Sequence, residues 1–466
     1  MAVGPKANLT INNVVITGGY IDTAEGGYYY GGGILNQGTI IINGATIANN
    51  IAYASDEDAG GGGIFNDGSA FIIDSIIADN QAFAYSVACG AGISNDGDLT
   101  IRDSLISGNS LNSKYSTGGG IYNQFSGTLE VTNSRVMGNS VLSYYSEGGG
   151  IANSGDAKIY GSLIINNQAE SIPYYYEQYN SSGGIFNWGQ IHIINSTIAG
   201  NESNGPDGAA IMNYYKATII NSTISGNNPV GISATCRPHL GSSVGVTQIQ
   251  QSIVSGNANL EIIVRDTFGH DNEWQCEGQL IIDNHNIFGR SGISGVDGAV
   301  IGASDLVPAV PLSAIIRPLA DNGGPTWTFA LPPNSPAIDR VSNNSCTAAP
   351  INGIDQRGFP RNQNGAGGSS QTECDIGAFE FQLVQPTATP TVTPTTTSTS
   401  TATVTATPSP TPTGTQMPTL EPSPTPTGTL ESTAEPSPTA TQTQVATPPA
   451  LDWVIFVPVV AADLWN

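Results

Sequence analysis

The chain is short of cations, cysteine motifs and long apolar runs. Lys and Arg total 13 of 466 residues against 37 Asp and Glu, for a net charge of −24 and a pI near 4.1. Nucleic acid is thereby excluded as a natural partner, because phosphate binding needs clustered Lys and Arg. The same balance suits basic partners, calcium or neutral sugars. There are five cysteines, Cys89, Cys236, Cys276, Cys346 and Cys374, and none forms a CxxC pair. Zinc-site and thioredoxin-like readings therefore have no motif to rest on. The longest apolar stretch near the C-terminus, Trp453 to Ala462, falls well short of the ~20 residues that span a bilayer. No basic stop-transfer flank follows it, since Arg361 is the last cation. No signal peptide opens the chain. Strand-like sequence begins at Asn8, so we read the chain as starting inside a repeat of a longer precursor.

Glycine and asparagine are abundant and regularly placed. One string recurs as Gly31-Gly-Gly-Ile-Leu-Asn36, Gly61-Gly-Gly-Ile-Phe-Asn66, Gly90-Ala-Gly-Ile-Ser-Asn95, Gly118-Gly-Gly-Ile-Tyr-Asn123, Gly148-Gly-Gly-Ile-Ala-Asn153, Ser182-Gly-Gly-Ile-Phe-Asn187 and Gly208-Ala-Ala-Ile-Met-Asn213. A second string follows each, roughly Gly-x-Leu-x-Ile-x-Asn-Ser-x-Ile-x-Gly-Asn. It closes on Asn50, Asn80, Asn109, Asn139, Asn167, Asn201, Asn227 and Asn257, about 26–34 residues apart. That spacing is a solenoid period. Within each repeat the apolar period is two. Leu129 and Val131 face one way, and Thr128, Glu130 and Thr132 the other; Leu99 and Ile101 oppose Thr100 and Arg102. Such alternation marks half-buried strands.

These features predict an all-β fold, a right-handed single-stranded parallel β-helix of about ten coils. Stacking is obligatory. Ordering one coil costs ~1–2 kcal/mol per residue, while each inward Ile or Leu returns only ~1.5–3 kcal/mol. The closing asparagines are expected to bond to the asparagines above and below them. Gly, and Asn at the corners, supply left-handed backbone. Four segments are expected: the β-helix over 1–290, a capping module over 291–383, a disordered Thr/Pro-rich stalk over 384–449 and a short hydrophobic segment over 450–466. The stalk, extended at ~3.1 Å per residue, would reach about 200 Å. Its Ser and Thr beside Pro suggest O-glycosylation.

The repeats resemble the GGxI and xxxN repeats of polymorphic outer-membrane proteins and related bacterial right-handed β-helix proteins, over roughly residues 8–290. The segment Leu319-Ala-Asp-Asn-Gly-Gly-Pro-Thr-Trp-Thr-Phe-Ala-Leu331, then Ser335-Pro-Ala-Ile-Asp339, Asp355-Gln-Arg-Gly-Phe-Pro-Arg361 and Cys374-Asp-Ile-Gly-Ala-Phe-Glu380, resembles the module that follows such repeats in surface proteins of the choice-of-anchor Q type. That family commonly has His where Phe329 stands. The resemblance implies surface anchoring and no catalytic mechanism. Read from the residues alone, the module is a solenoid cap. Arg357 is expected in an Arg–Asp clamp, with Asp375 as a second structural residue. A calcium site using Asp339, Asp355 or Asp375 is the alternative.

Two functions follow. The first is a secreted or cell-surface protein, tethered by its tail, acting in adhesion or as a structural surface component. Its binding face would be a stripe of loop tyrosines contacting polysaccharide or a surface protein. The stripe comprises Tyr28, Tyr29, Tyr30, Tyr53, Tyr85, Tyr115, Tyr144, Tyr145, Tyr174, Tyr175, Tyr176 and Tyr179, with Asp56, Glu57, Asp58, Glu147 and Glu177 nearby. Tyrosine offers an apolar ring and a hydroxyl at low entropic cost. The alternative is a polysaccharide lyase or glycoside hydrolase of the pectate-lyase-like β-helix type. Its best paired carboxylates are Asp74 and Asp103, at one slot of neighbouring coils, although Asn at the same slot elsewhere favours a turn role. His192 reads as a surface residue without a partner. Thr100, Glu130, Lys158 and His192 are outward and chemically mixed, and read as patternless. Disulfides are expected at Cys236–Cys276 and Cys346–Cys374, with Cys89 free in a Gly-rich corner.

Overall fold

The computed structural model describes residues 1–22, 31–55, 58–173, 181–205, 208–235, 245–265, 267–268, 275–276, 278–361 and 373–382. All lie within one compact unit, Met1–Thr389. The stalk, the terminal apolar segment, Tyr28–Tyr30, Tyr174–Tyr176, Tyr179 and Cys236 fall outside the described residues, as does the side chain of Cys276.

Each coil contributes one strand to each of three long parallel sheets. Sheet I has eleven strands and begins Ala2–Val3, then Ile34–Asn36. Sheet II has ten, from Asn8–Asn12 and Thr39–Asn43 onward, and sheet III has ten, from Val15–Thr17 and Thr46–Ala48 onward. Two shorter sheets, IV with seven strands and V with four, carry the chain from III back to I. The chain is therefore an all-β parallel β-solenoid. Inward positions stack like on like: Ile34, Ile64, Ile93, Ile121, Ile151 and Ile185 are in register in sheet I and fully buried.

Side-chain ladders run beside this aliphatic core. In each pair from Asn50 to Asn257, the Nδ2 of one Asn donates to the Oδ1 of the next at 2.9–3.1 Å. A second ladder, unanticipated, joins the terminal Asn of each GGxI string, from Asn36 to Asn213, at 2.6–2.8 Å. All these amides point the same way along the rod, so each ladder ends in an unused donor that needs an acceptor. The second ends on Thr247 Oγ1 at 2.9 Å. The first ends on the buried carboxylate of Glu261, which takes Asn257 Nδ2 at 2.6 Å and pairs with Arg290 at 3.1 Å. A carboxylate accepts without donating, and so terminates such a ladder.

The left-handed residues are not the ladder asparagines. They precede them, at Asn49, Asp79 and Asn166, and recur between sheets II and III at Asn13, Gly44, Asp74, Asp103, Asn133, Gly161, Asn195 and Asn221.

The structure adds detail at the boundary and the cap. Val296–Asp297 still pairs in sheet I, so the solenoid runs past residue 290. The following segment lies along the flank, against Ile194, Ile220, Ile253 and Ile287. The reason lies in the outward positions where sheets II and III meet. In the last coils this line carries Ile194, Ile220, Ile253 and Ile287, the four that the module's apolar residues pack against. Apolar surface of this kind needs a cover.

Arg357 forms the expected clamp with Asp355, at 2.9 Å from Nε and 2.7 Å from Nη2. Asp375 is not its partner. The Asp375 carboxylate accepts the backbone N–H groups of Asp339 and Phe381. The deeper cation is Arg361, fully buried, 3.5 Å from Glu380 and bonded to Asn195 Oδ1 at 2.9 Å and Gly377 O at 2.7 Å. Cys346–Cys374 is a disulfide, and Cys89 is a buried free thiol.

Candidate functional site

Asp74 and Asp103 have φ of 48° and 51°, as do Asn133, Asn195 and Asn221 at the same slot within a few degrees. Asp and Asn are the non-glycine residues that best tolerate this conformation. Backbone geometry thus accounts for the pair. Asp103 also lies 3.5 Å from Arg102 Nε in an exposed ion pair.

The tyrosines within the described residues do not form one stripe. Tyr53 lies in sheet IV, paired with Asp22 and Phe83. Tyr85 projects from the turn after that sheet and is 76% exposed. Only Tyr115 and Tyr145 share a register position, in sheet V, where their rings stack at 4.8 Å. Lys114 sits 5.3 Å over the Tyr115 ring. Tyr144 donates its backbone N–H to Lys114 O at 3.2 Å. The tyrosines separate because they fall on either side of the corner between sheets IV and V, and so belong to different faces. Tyr115 and Tyr145 border a hollow of about 460 Å³ with Val87, Thr117 and Glu147.

From Glu147 the surface continues around the coil. Glu147 Oε2 accepts the indole N–H of Trp188 at 3.1 Å. Trp188 stacks on Tyr214 at 4.5 Å and 13°, and Phe186 packs against both. This aromatic group covers the outer face of sheet I. Trp188 also walls a second hollow, of about 610 Å³, with Phe125, Tyr215 and the glycine floor Gly127, Gly155 and Gly189. The glycines are needed there: a Cβ on Gly189 would lie 2.1 Å from the Gly155 carbonyl oxygen in the neighbouring coil.

A third hollow, of about 390 Å³, shares Thr128, Asp156 and Gln190 with the second. Its floor is the outer face of sheet II. Here the outward residues Thr100, Glu130, Lys158 and His192, patternless in sequence, prove to be four consecutive members of one register file. Lys158 stands between the carboxylate and the imidazole. His192 is half-buried and lies 3.2 Å from Gln190 Nε2, so it does have a partner. Burial, and then Lys158, hold its pKa below the usual histidine value, which favours neutral imidazole at neutral pH. The sequence held the signal, but reading it required the coil lengths: 30 residues from Thr100 to Glu130, 28 to Lys158 and 34 to His192.

Among the described residues no three His, Cys, Asp or Glu side chains converge as a metal site. Asp355 is engaged by Arg357 and by the backbone N–H groups of Arg357, Phe359 and Glu380. Among the same residues no helix is long and apolar enough to cross a membrane. Comparison with protein-family models, curated proteins and solved structures gives no match to this chain.

Proposed function

We propose that the chain is a secreted or cell-surface β-helix protein acting in adhesion, presented on its Thr/Pro-rich tail and contacting glycan or a surface protein through the tyrosines of sheet V. The observation that carries this reading is the Tyr115–Tyr145 stack beside a solvent-open hollow that Glu147 also lines. Rings held one coil apart offer repeated weak contacts along a rod, and such contacts multiply by multivalency. The resemblance to polymorphic outer-membrane proteins and to the choice-of-anchor Q module supports a surface location. The fit of Asp74 and Asp103 to a left-handed turn gives the lyase or hydrolase reading no favouring observation. Replacing both rings, Tyr115→Ser with Tyr145→Ser, should cut adhesion to glycan-coated surfaces severalfold. Their loss costs the stack about 0.5–1.5 kcal/mol, so the fold should persist by far-UV circular dichroism. Undiminished adhesion of the folded double variant would remove the tyrosine face from the reading.

A further inference from the structure

The geometry points to a second binding site, on the outer face of sheet II: a groove that takes an extended, uncharged polysaccharide lying along the rod. This rests on the adhesive reading and gives it a ligand class and a location. Three observations carry it.

The first is register. Glu130, Lys158 and His192 lie in consecutive coils, in one file with Thr100. At ~4.8 Å per coil this file spans about 14 Å. An extended pyranose chain advances by about one ring length per residue, which is the same order as the coil spacing. Successive sugars can therefore meet successive side chains.

The second is donor and acceptor content. Glu130 accepts, Lys158 donates, and Gln190 at the groove edge does both. Sugar hydroxyls need that mixture, and an apolar peptide groove would not supply it. The adjoining hollow adds an aromatic wall. Trp188 is held by its stack on Tyr214 and by its bond to Glu147, so its ring is preorganised for the C–H face of a sugar.

The third is charge. Glu130 and Asp156 outnumber Lys158, and the imidazole of His192 adds no cation at neutral pH. The whole chain carries −24. A uronate polymer would be repelled by this surface, and a neutral one would not.

The test uses the full chain in affinity electrophoresis and calorimetry with a soluble neutral β-glucan, a neutral mannan and polygalacturonate at one ionic strength. The parent should bind a neutral polymer and leave polygalacturonate unbound. Glu130→Gln with Lys158→Met should weaken that binding at least tenfold at an unchanged melting temperature. Phe125→Ser, an exposed change in the aromatic wall, should weaken it severalfold. Val300→Ser, an exposed change outside both hollows, should leave it intact. The groove is overturned if neither neutral polymer binds, if the groove variants bind as tightly as the parent, or if polygalacturonate binds best. Adhesion of the parent to glycan-coated surfaces is read in parallel. Persistent adhesion without groove binding sinks this proposal alone, whereas absence of both sinks the adhesive reading as well.

Discussion

The solenoid and the module on its flank are held together by opposite means. The solenoid repeats one solution: an Ile file, an Asn ladder and a left-handed corner in every coil. Each member of these files has an equivalent one coil away, the ladder ends at Thr247 and Glu261 excepted. The module, residues 306–361 and 373–381, has almost no regular structure and depends on singular contacts. Arg361 reaches Glu380, Asn195 and three backbone carbonyls of the module, those of Ile354, Asp375 and Gly377. Gln356 bonds Thr197 and Thr326, and the Tyr160 hydroxyl reaches Ile351 O. Single substitutions should therefore matter more on the flank than along the solenoid. Repetition spreads the load along the rod, and singular contacts concentrate it on the flank.

The largest expected effect follows from Arg361→Met. It leaves the fully buried Glu380 carboxylate without its cation, and breaking one side of a buried pair costs about 3–5 kcal/mol. The loss should fall on the module. Hydrogen exchange should rise across residues 306–361 and stay unchanged in sheet I from Ile64 to Asn153. Equal loosening of both regions would show that flank and solenoid unfold as one body, and the comparison would fail.

A smaller effect should separate the two regions by pH. Burial pushes the Asp375 carboxyl up to about 7 from 3.8, against the backbone N–H groups of Phe381 and Asp339 and the charge of Arg361. Charge balance agrees: the module buries two guanidiniums against Asp355 and Glu380, so a third carboxylate would be in excess. The folded module then holds a proton up to about pH 7, whereas the unfolded chain releases it near pH 4. The module's stability should fall as pH rises through that window, by at most about 1.4 kcal/mol per pH unit. His192 in the solenoid has the opposite sign, because its lowered pKa makes the unfolded chain the better proton acceptor below about 6.5. Local stability around it should rise with pH. Glu261, raised by burial at the ladder end, follows Asp375 in sign, so exchange is best read at the coil of His192. Asp375→Asn should flatten the module's slope and leave the His192 coil alone. An unchanged module slope would mean that another group sets it.

Legibility in the sequence divides along the same line. The Asn50 to Asn257 ladder, the inward Leu129 and Val131, and the Cys346–Cys374 pairing could be read without coordinates, because each depends on local spacing. The second ladder was equally local, since Asn36 to Asn213 close every GGxI string. The doublets Ile193-Ile194 and Ile219-Ile220 mark an outward position turned apolar, but Ile72-Ile73 does the same in a coil outside the module's apolar cluster, so the doublets alone did not place the module. Arg361 was not legible as the central cation, because its partners lie 166 residues back at Asn195 and at a carbonyl 16 residues on. The groove on sheet II needed register across coils of unequal length. The described tyrosines part for the same reason: a shared loop in sequence is not a shared face when the loop spans a corner.

The smallest expected effect is also the sharpest test of the solenoid. Asp74→Asn and Asp103→Asn, alone or together, should change stability by no more than about 0.5 kcal/mol. Asn133, Asn195 and Asn221 already occupy that slot at φ of 46–51°, so the substitution copies a solution the chain uses elsewhere. Asp103→Val at the same corner should cost about 1–2 kcal/mol, because a β-branched residue is strained in left-handed backbone. Chemical denaturation of the three variants gives the comparison directly. If Asn is tolerated and Val is not, the carboxylates are there for conformation. If the Asn pair is as costly as Val, the carboxylates make a contact that amides cannot. If the double Asn variant instead keeps full stability yet loses a sustained release of product from acidic polysaccharide, the corner is an active site and the rod an enzyme.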